Sequence, residues 1–155
     1  DYLEENDALG TAGALGLLPE KPEHPLLVMN GDILTNLNLS NLFDFHQRHN
    51  SPATMGVREY EIQIPYGVVD TDANGITRLR EKPYQQHYVN AGIYVLSPEA
   101  VARIPAGKRY KKPGLFQELM DEGRSVFAYP IHEYWLDIGH MSDYMRANMD
   151  FSEVL

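Results

Sequence analysis

The feature that most constrains the fold is a pair of short apolar runs, each stopping at an aspartate. Leu26-Leu27-Val28-Met29 leads into Asn30-Gly31-Asp32, and Tyr134-Trp135-Leu136 leads into Asp137-Ile138-Gly139. A brief apolar run bounded by turn residues reads as a buried strand. Carboxylates at the ends of such strands lie where open α/β sheets bind ligands. Two that converge form a hard oxygen site suited to Mg2+, whose usual company is phosphate. Taken singly, either aspartate reads first as a turn residue after a strand. The weight lies in their joint occurrence.

The rest of the chain alternates between strand and helix patterns. Residues 10–18 are small and apolar and suit a short buried helix stopped by Pro19. Ser40 is placed to cap a helix running to His49, with Leu42, Phe45, His46 and His49 along one face. Residues 53–58 read as a strand. Two further strands, 66–70 and 76–80, flank Asp72-Ala73-Asn74-Gly75, which is hairpin-turn chemistry. Residues 88–96 form another strand. Ser97-Pro98-Glu99 is a cap followed by proline at the first helical position. A helix over 115–122 is closed by Gly123, residues 125–129 and 132–136 read as strands, and Ser142 caps a last helix. This order predicts an α/β fold with a mixed, mainly parallel sheet flanked by helices.

Composition narrows the function classes. The chain has 155 residues, 43% of them hydrophobic and 23% charged, and carries a formal charge of −9. That charge would repel a nucleic-acid backbone, so no nucleic-acid partner is expected. No apolar run approaches the roughly 20 residues of a membrane helix, so no membrane partner is expected either. Absence of cysteine removes disulfides, thiol catalysis and thiolate metal sites, and is compatible with the cytoplasm. A phosphate substrate would need local cations; Lys108-Arg109-Tyr110-Lys111-Lys112 is one source, although such a run reads first as a solvated loop.

Three other segments carry chemistry. Glu81-Lys82-Pro83 ends a strand, where adjacent side chains ordinarily face opposite ways; Pro83 can bend that geometry, and an ammonium suits a phosphate. Asn90-Ala91-Gly92 lies inside an apolar strand. A buried asparagine there needs partners that sugar hydroxyls could supply, while the glycine reads equally as a β-bulge. His46 and His49 share a helix face, but no further ligands stand at zinc spacing, so they belong to the core edge or solvent.

Together these segments resemble the sugar nucleotidyltransferases, the nucleotide-sugar pyrophosphorylases. The resemblance rests, in order, on Leu9-Gly10-Thr11-Ala12-Gly13-Ala14-Leu15, Asn30-Gly31-Asp32, Tyr66-Gly67-Val68-Val69, Glu81-Lys82-Pro83, Asn90-Ala91-Gly92-Ile93-Tyr94 and Trp135-Leu136-Asp137-Ile138-Gly139. It is nearest to mannose-1-phosphate guanylyltransferase-like members. It implies a Rossmann-like nucleotidyltransferase fold, with residues 1–155 as the C-terminal major part of a single domain. It implies that Gly10 and Thr11 contact the nucleotide, that Asp32 and Asp137 hold Mg2+, that Gly67, Glu81 and Asn90 bind the sugar, and that Lys82 binds its phosphate. Asp32, Asp137 and Lys82 would then be the catalytic set, with a nucleoside triphosphate such as GTP and a sugar 1-phosphate as partners.

The family's G-x-G-T-R loop does not occur in this sequence. That loop would cradle the triphosphate, so the 155 residues are expected to be an inactive fragment of an active parent. A missing first strand would leave an open sheet edge, and self-association is the expected consequence. Two alternatives stand beside this reading: a catalytically silent regulatory or nucleotide-sugar-binding module of the same fold, and a metal-dependent glycosyltransferase. The latter usually presents Asp-x-Asp, whereas Asp32 is followed by Ile33 and Leu34.

Overall fold

The computed structural model describes the backbone of residues 2–154 and the side chains of residues 2–151. A short helix α1 (Gly10–Gly13) runs into a 3-10 turn (Ala14–Leu17), because glycines and a following proline deny the segment a longer helix. Then come β1 (Leu26–Met29), β2 (Ile33–Thr35), α2 (Leu39–Arg48), β3 (Ala53–Gln63), β4 (Val68–Asp72), β5 (Gly75–Arg80), β6 (Tyr84–Leu96), α3 (Pro98–Val101), α4 (Lys112–Asp121), β7 (Phe127–Pro130), β8 (Trp135–Asp137) and α5 (Met141–Val154).

Four strands form the main sheet in the order β1-β6-β3-β7. The sheet is mixed, as expected. Strands β1, β3 and β7 run the same way, yet only β3–β7 is a parallel pairing, because the long β6 is inserted antiparallel between β1 and β3. Strand β6 feeds both faces of the sheet. Tyr94 and Leu96 enter one core with Leu115, Phe116 and Leu119 of α4, while Ala91, Ile93 and Val95 enter the other with Leu42 of α2. That alternation is the period-two geometry of a strand buried on both sides. Full burial of Ile93, Val95 and Leu96 stabilises the fold by about 1.5–3 kcal/mol each.

Several boundaries differ from the sequence reading, each for a physical reason. Helix α2 is capped by Asn38, whose Oδ1 accepts from the N–H groups of Ser40 and Asn41, so Ser40 lies inside the helix. Helix α5 starts before Ser142; Asp143 reaches back to the N–H of His140 instead. Strands β3 and β6 run on as a ribbon, Glu59 to Gln63 pairing with Tyr88 to Tyr84. Glu59-Tyr60-Glu61-Ile62-Gln63 does alternate polar and apolar, a strand signal that the reading to residue 58 passed over, although residues of that ribbon are exposed on both faces. The β4–β5 hairpin matches its turn signal, with Asp72 Oδ1 accepting from the N–H of Asn74.

His46 is a core residue. Ser97 Oγ donates to the carbonyl of Ser51, so it can only accept from Nε2 of His46, at 3.1 Å. Nδ1 then accepts from the hydroxyl of Thr54 at 2.9 Å, leaving a neutral imidazole. Burial pushes its pKa below the ordinary 6.5. A base with a depressed folded pKa costs nothing above 6.5, while below it the unfolded chain takes up the proton first. Stability is therefore lost as pH falls from 6.5 toward the folded value. Urea unfolding at about pH 7.5 and about pH 5.5 should show a decline in the wild type that is smaller in His46→Gln. Equal declines in the two proteins would assign the acid sensitivity to other groups.

Candidate active site

The site is assembled on two close backbone approaches. The first sets residues 9–16 against residues 105–112. The N–H of Tyr110 donates to the carbonyl of Leu9 at 2.7 Å, and the N–H of Ala12 donates to the carbonyl of Tyr110 at 3.1 Å. Side chains would forbid this contact: a Cβ on Gly10 would meet the Tyr110 carbonyl oxygen at 2.8 Å, and one on Gly16 would meet that of Pro105 at 2.7 Å. Gly10 also has φ +80°, where an L side chain is strained. The apposition brings Thr11 over the start of α4, its Oγ1 accepting from the N–H of Lys112 at 3.1 Å.

Sequence reasoning misplaced Lys112. The basic run suggested a solvated loop, but Lys112 is buried, only 4% exposed, while Lys108, Arg109 and Lys111 are exposed. Its Nζ donates to Oδ1 of Asn30 at 2.7 Å and stands 4.7 Å from the centroid of the Tyr94 ring. Burial lowers its pKa, and the charge of Asp32 opposes that shift. The available signal was Pro113, which favours the first turn of a helix and so starts α4 at Lys112, ahead of the residue 115 start read from sequence.

The second approach is a bulge in β6. Opposite one step of β3, from Met55 to Val57, β6 advances from Tyr94 to Asn90. Gly92 sits in this bulge at φ +74°, its missing Cβ leaving room for the Asn30 side chain, which would be 2.9 Å away. The carbonyl of Gly92 accepts from the N–H of Asn30 at 2.9 Å, and that of Ala91 accepts from Nε1 of Trp135 at 2.8 Å. The adjacent residues Ala91 and Gly92 thus hold both aspartate-bearing segments. Asn90 is exposed, contrary to the expectation of a buried polar group. Its Oδ1 accepts from the N–H of Gly92 at 3.0 Å and from the Tyr94 hydroxyl at 2.9 Å, so its amide N–H groups are what it can offer a ligand.

Asp32 lies in the turn between β1 and β2, where the facing rule of strands does not apply. The N–H of Ile138 donates to its carbonyl at 2.8 Å, and Ile33 pairs with Asp137 in the β2–β8 ladder. The two aspartates are therefore neighbours across one pairing, and both side chains are exposed. Thr11, Met29, Asn30, Gly31, Asp32 and Lys112 line an open pocket of about 500 Å³. On the hairpin side, Glu81 lies over Gly67: a Cβ there would be 3.2 Å from Oε2. Lys82 is exposed and has φ +43°, an unusual conformation for a non-glycine residue that frees it from strand alternation with Glu81.

A family model described as Nucleotidyl transferase matches residues 1–154. The chain belongs to that family. It is 32% identical over 150 residues to the mannose-1-phosphate guanylyltransferase catalytic subunit beta of Danio rerio, covering 92% of this chain and 41% of that protein. It is 36% identical over 151 residues to the UTP--glucose-1-phosphate uridylyltransferase of Synechocystis sp., covering 90% and 39%. The chain thus spans about two fifths of the length of these curated relatives. Among solved structures, HddC from Yersinia pseudotuberculosis aligns with a TM-score of 0.66 and 25% identity over 95% of this chain and 64% of that one. A putative glucose-1-phosphate thymidylyltransferase from Bacillus anthracis, at 19% identity and a TM-score of 0.65 over 93% and 62%, shares the fold.

In this chain the bulge has a measurable energetic signature. Gly92→Ala should destabilise the fold by about 1–3 kcal/mol in urea unfolding, since it adds a left-handed alanine and a clash with Asn30. Gly114→Ala in α4 meets open space and should be neutral or stabilising by up to about 1 kcal/mol. Equal effects of the two substitutions would contradict the special conformation of Gly92.

Proposed function

We propose that this nucleotidyltransferase moves a nucleotidyl group from a nucleoside triphosphate to a sugar 1-phosphate, releasing pyrophosphate. The observation that carries this reading is the convergence of Thr11, Asn30, Asp32 and Lys112 on one open pocket, with Asp137 paired to the same turn. A hydroxyl, an amide, two carboxylates and an ammonium suit positioning and charge neutralisation, the two needs of phosphoryl transfer. The relatives' names support the substrate class, and guanine is the base we assign, after the guanylyltransferases.

The donor set suits Mg2+. That ion takes one or two carboxylates and leaves its other positions to water and substrate phosphates. Among the described residues no cluster of three or more His, Asp or Glu offers an all-protein cage. Asp32 and Asp137 would hold the ion, which when bound would polarise the α-phosphoryl group and offset the charge of departing pyrophosphate.

The remaining work falls to positioning. Thr11 and Gly10 would seat the nucleoside beside the pocket. Glu81 over Gly67, and the free amide N–H groups of Asn90, would accept and donate to sugar hydroxyls, while Lys82 would orient the sugar phosphate. An oxygen of that phosphate forms the new bond to the α-phosphorus as the bond to the β-phosphate breaks. The attacking oxygen is already anionic, so no general base is required. Among the described residues no helix is long and apolar enough to cross a membrane, and a reaction supplied by nucleoside triphosphate fits the cytoplasm.

The test is pyrophosphate release by the full-length protein with Mg2+, GTP and mannose 1-phosphate, repeated with other triphosphates and hexose 1-phosphates. One pair should support turnover, and Asp32→Ala or Asp137→Ala should each cost several kcal/mol of transition-state stabilisation, roughly a thousandfold in rate or more. Lys82→Ala should raise the KM for sugar 1-phosphate while leaving nucleotide affinity nearly unchanged. A protein that binds nucleotide sugar but releases no pyrophosphate with any pair is instead a silent binding module.

A further inference from the structure

Of the Lys, Arg, Asp and Glu side chains among the described residues, only Lys112 is buried. An ammonium has three protons to place. One goes to Oδ1 of Asn30 at 2.7 Å, and the Tyr94 ring 4.7 Å away faces the charge without neutralising it. Neither partner is an anion. The stem of Lys112 packs where an apolar side chain of the same length would serve the fold equally well, because removing a buried charge in favour of a well-packed hydrophobe is often neutral or stabilising. The structure nonetheless sets a cation at the base of an open pocket lined by Thr11, Asn30, Gly31 and Asp32, on a chain of net charge −9.

We propose that Lys112 is a nucleotide-binding residue that donates one of its two remaining ammonium protons to the α-phosphate of a nucleotide seated against Thr11 and the Asp32 turn. The proposal rests on the nucleotidyl-transfer reading of the same pocket and adds a phosphate ligand that lies outside the Glu81-Lys82 segment. A compact ammonium is a point donor suited to one phosphate oxygen. In a desolvated setting its hydrogen bond is stronger than it would be in water. The bond to Asn30 and the backbone bond from Lys112 to Thr11 fix the ammonium before the ligand arrives, so little side-chain freedom is lost on binding.

The test is titration calorimetry on the full chain without divalent cations, using the triphosphate, monophosphate and free nucleoside of the guanosine and uridine series. It is read on whichever series the wild type binds. Lys112→Met should weaken the monophosphate and the triphosphate roughly tenfold, the scale of a hydrogen bond to a charged group, and leave the free nucleoside unchanged. Lys112→Arg should retain part of the phosphate affinity. The melting temperature of Lys112→Met should equal or exceed that of the wild type. Unchanged monophosphate affinity in Lys112→Met overturns the proposal alone. Equal weakening of phosphate-bearing ligands and free nucleoside, together with a lowered melting temperature, makes Lys112 a structural residue and also overturns it. A wild type that binds neither series overturns the functional reading itself, and the proposal with it.

Discussion

Residues 90–92 of β6 are the constraint on which the site depends. A regular strand would present only its ladder. The bulge turns the carbonyls of Ala91 and Gly92 toward two different segments, one taking Trp135 and the other Asn30. Gly92 at positive φ, with no Cβ, is what lets the Asn30 side chain lie against the strand. From Asn30 the chain of contacts continues to Lys112, and from Trp135 along β8 to Asp137. Asn90 closes the bulge on itself through Gly92 and Tyr94, and Tyr94 in turn faces the Lys112 ammonium. Remove the bulge and the two aspartates lose their common support.

The site also concentrates opposed charges in a chain that is acidic overall. Two exposed carboxylates suit a divalent cation, and one buried ammonium shares the pocket with Asp32. Burying that ammonium works against stability, because desolvation disfavours the charged form, Asn30 and Tyr94 bring no negative charge, and the charge of Asp32 offsets the burial only in part. Core packing offsets the cost: α4, which carries Lys112, also sets Leu115, Phe116 and Leu119 into the core beside Tyr94 and Leu96. The helix that delivers the cation is thus held by the same apolar face that builds the domain.

Much of this was legible in the sequence, and the exceptions follow from physics. Strand β1 is where its apolar run places it, and the Asp72-Ala73-Asn74-Gly75 turn produced its hairpin, because local chemistry decides both. Residues 9–15 resemble a nucleotide-contacting segment; for Gly10, and for Gly16 just beyond it, the structure gives a packing reason that only the distant loop at 105–112 could reveal. The extended ribbon of β3 and β6 was missed in two ways: Glu59-Tyr60-Glu61-Ile62-Gln63 alternates but belongs to no buried face, and the partner Tyr84-Gln85-Gln86-His87 is too polar to read as a strand. Lys112 was misread because a lysine within a basic run carries no local sign of burial; that burial depends on Asn30 and Tyr94, both far away in sequence.

The central claim, that the β6 bulge brings Asp32 and Asp137 to one divalent ion beside the nucleotide, is tested most directly by anomalous diffraction. Crystals of the full-length protein would be grown with Mn2+ in place of Mg2+ and a non-hydrolysable nucleoside triphosphate. The account predicts an anomalous peak in contact with both carboxylates and with a phosphate oxygen of the nucleotide. A peak held by the nucleotide alone, or by one aspartate with the other turned away, would contradict it.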